Sequence, residues 1–245
     1  MTEEMLFSKL KSEFTQIVNE HHIESEKVHI TGRALSPQEA IGVTERKDFP
    51  ILTGKEQMLE AEFMGSKGQA FTDAPSLFFG SLLDVIKLDL MSDMHSRGLF
   101  IATMNAVMRH LGLAEHTIHC KNGEPEQCAK QALTWVKEHY NVKRIALVGY
   151  QPALLEQLSS EYTLRVLDLN TDNIGQMRYG IKVENGLEYK PVCDWADLVL
   201  CTGSTLCNGT IVNFLDMKKE IVFFGTTAAG AAKILGLKRM CFCTE

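Results

Sequence analysis

From residue 144 onward the chain alternates strictly between strand and helix, and no other feature limits the possible folds as much. Apolar runs at 144–149 (R-I-A-L-V-G), 164–169, 197–201, 221–225 and 239–243 are separated by helical patterns at 152–161, 205–217 and 228–235. A looser segment at 170–189 is the one interruption. Short, near-continuous apolar runs suit strands buried on both faces, and helices between them make each crossover right-handed. The rhythm predicts a parallel, doubly wound sheet.

The first part of the chain has another grammar. Leu6, Leu10, Phe14, Ile17 and Val18 form one stripe of an amphipathic helix that ends near His21-His22. An alternating run at 27–32 follows, and Ser36-Pro37-Gln38-Glu39 carries helix-start chemistry. Residues 58–72 spell a hairpin with G-S-K-G as its turn. Helices are expected at 76–88 and 96–111, the second apolar almost all round and so buried between layers. Helix, strands and helices in this order give an α+β unit over residues 1–115, followed by the doubly wound unit over 116–245.

Ligands of doubly wound sheets bind beyond the carboxyl ends of the strands. Four strand ends carry suitable residues: Gly149 with Pro152, Asp168, the run Thr202, Gly203, Ser204 and Thr205, and the run Gly225, Thr226 and Thr227. Asn208 follows the third, in what reads as the first turn of a helix, where unpaired N–H groups and the positive end of the dipole favour a polar ligand. Arg97 and Asn105 on the helix at 96–111 are candidates for the opposite wall of a cleft. Asp168 stands 19 residues after Gly149, near the spacing at which an acidic side chain meets a ribose hydroxyl. Yet the turn reads G-Y-Q-P rather than G-x-G-x-x-G, which disfavours a dinucleotide, and there is no P-loop lysine or nucleophile elbow.

Seven cysteines are present without a C-x-x-C pair. His119 and Cys120 with Cys128 form the best soft-metal candidate, because the Pro-containing helix start between the two thiols can fold them together. Cys207 falls on an apolar stripe, and Cys241 and Cys243, two apart on one side of a strand, read as buried thiols before metal ligands.

Taken together, G-Y-Q-P, Asp168, A-D-L-V-L-C-T-G-S-T-L-C-N-G-T and F-F-G-T-T-A-A-G-A resemble the heavy-metal-chelation family. The resemblance implies an enolase-N-terminal-like α+β domain, a Rossmann-like domain, and a binding site in the cleft between them. In the family the first turn usually reads G-H-F-P or similar and the fourth resembles G-P-S-T, so a histidine is replaced by Tyr150 and a proline by Thr226. The expected function is binding of a transition metal or a metal chelate. An enzyme with a nucleoside-type cofactor such as S-adenosylmethionine, or a non-catalytic ligand sensor, are the alternatives; no paired carboxylates or triad favour catalysis. The net charge of −6 argues against nucleic acid, no apolar run is long enough to span a membrane, and a reduced cytoplasmic protein, in some form a homo-oligomer, is the expectation.

Overall fold

The computed structural model describes residues 1–30, 35–53, 57–74 and 77–243. Helix α1 (Glu3–Glu20) is capped by the Thr2 hydroxyl and buries its stripe of Leu6, Leu10, Phe14 and Val18. Strand β1 (Lys27–Ile30) follows, then the short helices α2 (Pro37–Ile41) and α3 (Pro50–Thr53). The expected helix start at Ser36 is a full capping box, in which Ser36 and Glu39 satisfy one another's backbone N–H. Strands β2 (Gln57–Phe63) and β3 (Ser66–Thr72) form the hairpin. Its turn is Met64–Gly65, earlier than G-S-K-G suggests, because Lys67 and Gly68 are already paired with Glu62 and Ala61.

Residues 78–81 do not continue a helix as expected. They form β4 (Phe78–Ser81), antiparallel to β1, and only α4 (Leu82–Ile86) is helical, started by a second capping box at Ser81 and Asp84. The four strands make an antiparallel sheet in the order β3-β2-β1-β4. Helix α5 (Met94–His110) lies against it and is buried without a break from Ser96 to Met108, as its all-round apolar text predicts. Gly68 lets it approach: a Cβ there would run into the Ala106 amide and the Ala102 carbonyl.

The second half begins with α6 (Glu124–His139), β5 (Arg144–Val148), α7 (Pro152–Ser159) and β6 (Thr163–Asp168). The looser segment contains two strands that the sequence conceals. These are β7 (Met177–Arg178) and β8 (Ile181–Asn185), and β8 adds in parallel to β6. Then come α8 (Tyr189–Trp195), β9 (Leu198–Thr202), α9 (Val212–Leu215), β10 (Ile221–Phe224), α10 (Ala229–Leu235) and β11 (Arg239–Met240). The sheet order is β11-β10-β9-β5-β6-β8-β7, all parallel except β7. The period of two places Ile145 and Leu147 in one apolar cluster with α6 and α7. Ala146 and Val148 go to the other face, in a cluster shared with α1, α5 and the antiparallel sheet. One core therefore spans both sheets, with α5 as the layer between them. Among the described residues no helix is long and apolar enough to cross a membrane.

Candidate functional site

Strand order reverses between β5 and β9, and the loops after these two strands open there as the topology requires. A cavity of about 140 Å³ lies at this point. Gly149, Thr202, Gly203, Ser204, Gly225, Thr226 and Thr227 supply its floor, so three of the four predicted strand ends come together. Ile41, Phe49 and Ile51, from the segment carrying α2 and α3, cover it with Phe71 from β3. His119, Cys120, Cys128 and Cys241 occupy one side. No Asp, Glu, Lys or Arg is among the lining residues.

The thiols gather from three parts of the chain. Cys120 precedes α6, Cys128 lies on its second turn, and Cys241 and Cys243 follow β11. Cys128 is the hub. Hydrogen bonds from the thiols of Cys120 and then Cys241, and from the backbone N–H groups of Phe242 and Cys243, hold its thiol far below the ordinary range. Cys120, which donates to Cys128 and is buried, is pushed up in turn. Burial, with Cys128 adding to it, raises Cys243 to about 11. Arg239, half-buried, donates to Cys241 and places a positive charge beside the cluster. The His119 ring meets the Phe71 ring edge-on at 5.5 Å, and its Nδ1 donates to the Cys120 carbonyl at 2.7 Å. Since a carbonyl only accepts, Nε2 is the basic nitrogen, and burial keeps the ring neutral by lowering its pKa.

In the sequence Cys241 and Cys243 read as buried thiols before ligands. Their signal is the C-x-C spacing after the last strand, but which thiols they meet depends on β11 lying beside β10 and on Phe242 packing against Trp135 of α6.

Other predicted residues have different neighbours. The run from Thr202 to Thr210 does not begin a regular α-helix. Gly203–Leu206 is a single 3₁₀ turn, and α9 is only one turn long. Thr205 donates its hydroxyl to the Thr202 carbonyl at 2.7 Å, and Asn208 accepts from both the N–H and the hydroxyl of Thr210. Gly209, with φ of +77°, turns the chain out of helical space. The expected macrodipole is therefore missing from this turn. Asp168 accepts from the N–H groups of Tyr150 at 2.9 Å and Asn170 at 2.7 Å, tying the first turn to the second. It lines a smaller neighbouring cavity with Ser204, Thr205 and Asn208. Pro152 opens α7 and is buried.

Arg97 and Asn105 do not line the main cavity, contrary to the expected cleft wall. Arg97 is buried over the Phe7 ring, ion-paired with Glu3 and donating to the Leu90 carbonyl at 2.5 Å, which fastens α1 to α5. Asn105, wholly buried, donates to the carbonyls of Gln69, Thr226 and Thr227 and accepts from the Gly230 N–H at 2.8 Å. A buried amide must find such partners, and here it finds them in both sheets' loops.

Comparison with known proteins agrees with this architecture. Residues 132–237 match the model of a family described as "Putative heavy-metal chelation". The chain resembles that family. A protein of unknown function from the same family, from Pyrococcus horikoshii, superposes with a TM-score of 0.58 at 18% identity over 91% of this chain and 79% of that one. Another family member of unknown function, from Desulfitobacterium hafniense, gives 0.51 at 13% identity over 73% and 72%. No curated protein matches the sequence. At these identities the two structures speak for the fold alone.

Proposed function

We propose that the protein binds a transition metal, free or carried by a small chelator, in the cavity at the β5/β9 switch point. The carrying observation is the side of that cavity: thiols of Cys120, Cys128 and Cys241 and the imidazole of His119, set in an otherwise mostly apolar wall. Such donors suit Zn, Cu, Ni and Co. Among the described residues no three His, Cys, Asp or Glu side chains are disposed around one point as a ready metal site. Cys128 accepts from the thiols of Cys120 and Cys241, and a metal would replace these shared protons. A cavity of about 140 Å³ has room for an ion with a small chelator but not for a dinucleotide. Thr226 adds support, because its buried hydroxyl has no partner and its residue lines the cavity.

This reading takes residues 1–115 and 116–245 as two domains and the cavity as the cleft between them. A nucleoside-type ligand is the second reading, favoured by the smaller cavity at Asp168, Ser204 and Asn208.

The protein purified without chelator and loaded separately with Zn, Ni, Co or Cu should retain about one equivalent of at least one metal, measured by mass spectrometry. The Cys120→Ser/Cys128→Ser double variant should retain none. Wild-type protein that holds no stoichiometric metal after loading would exclude the metal reading.

A further inference from the structure

Building on the cavity reading above, we infer that the metal is a thiophilic one held by a sulfur set of Cys120, Cys128 and Cys241, with Arg239 as its counter-charge. Three features carry this. First, the lining contains thiols, an imidazole, hydroxyls and peptide groups but no carboxylate, so Mg, Ca and Mn lack the oxygen ligands they require. Second, all three cysteines open into the same cavity although they come from before α6, from within α6 and from after β11. Chain-distant thiols converging on one void differ from the scattered thiols of the core, of which Cys193, Cys201 and Cys207 line none of this cavity. Third, Arg239 is half-buried and donates to Cys241, with other N–H groups on the carbonyls of Glu115, His116 and Gly225. Three thiolates on a divalent ion leave one net negative charge, and a fixed guanidinium offsets it at the place where the charge would otherwise be desolvated.

The binding step exchanges protons for metal. A divalent ion takes the place of the thiol protons, which leave to solvent, and no electron moves.

Cadmium added to reduced protein provides the test, because sulfur-to-cadmium charge transfer absorbs in the ultraviolet and oxygen or nitrogen ligation does not. Wild-type protein should develop this band and saturate at one equivalent. Cys241→Ser should lose about one third of the band, and Cys128→Ser should weaken cadmium binding by about 100-fold or more. Cys193→Ser should leave the band unchanged. Should a variant fail to fold, wild-type protein alone still decides: cadmium should protect Cys120, Cys128 and Cys241 from iodoacetamide, located by peptide mass spectrometry. Cadmium bound without the band, or a full band in Cys241→Ser, or alkylation of Cys241 at an unchanged rate, overturns the sulfur set and leaves the cavity reading standing. A protein that takes up neither cadmium nor any of the four metals above loses both.

Discussion

Two stretches of the boundary between the sheets are made from the same loop and end in opposite ways. On one side of residues 225–230, Asn105 takes up the carbonyls of Thr226 and Thr227 and the N–H of Gly230. On the other side, Gly225, Thr226 and Thr227 line the cavity, and the Thr226 hydroxyl has no partner. The closed seam uses one amide to satisfy groups from two sheets, which gives rigidity. The cavity holds thiols that share protons with one another, which leaves them exchangeable. A buried polar group costs free energy unless paired, so the seam should show its value in stability and the cavity in ligand exchange.

Truncating the seam should have the largest effect. Asn105→Ala leaves the Gly230 N–H and three carbonyls without their side-chain partner, and a loss of about 4 kcal/mol in unfolding free energy is expected from urea titration. Metal retained per folded molecule should stay the same. Equal loss of metal would mean that seam and cavity are one unit and would break the distinction. Gly68→Ala comes next. Its Cβ must displace the α5 backbone, which overpacking data put at about 3 kcal/mol, again in urea midpoint rather than in metal stoichiometry.

These two residues also mark how far the sequence could be read. The strands from 144 onward were visible because burial on both faces writes an apolar run, and α5 because burial all round erases the polar face. The strand at 181–185 was not, since I-K-V-E-N lies near the sheet edge with only Val183 fully in the core. Asn105 reads from the sequence as a cleft-wall candidate and not as a clamp, because its partners lie 36 and more residues away in sequence. The same holds for the site. Gly149, Thr202 and Gly225 follow from strand ends, which are local. That Cys241 meets Cys128 depends on sheet order, which no local spacing encodes.

The smallest effect sharpens the cavity half of the comparison and concerns pH. Cys128 lies below its unfolded value, so its contribution is present above the unfolded thiol pKa and is lost as pH falls through the folded value. Cys120 lies above its unfolded value, so its contribution is present below the unfolded pKa and is lost as pH rises. Between the two, the folded pair holds one proton, whereas the unfolded chain holds two below a thiol pKa of about 8.5 and none well above it. Stability from the pair therefore rises with pH up to about 8.5 and falls beyond, with a slope on the order of 1 kcal/mol per pH unit. The difference in unfolding free energy between wild type and Cys120→Ala/Cys128→Ala, measured from pH 6 to 10 without metal, should be bell-shaped. Core thiols give the contrast. Burial raises Cys207 to about 12, with Asp73 adding to the rise and Arg97 opposing it, so Cys207→Ala should give a difference that is flat below pH 8. A flat difference for the cavity pair as well would show that it holds both protons, and that its thiols differ from those of the core only in position.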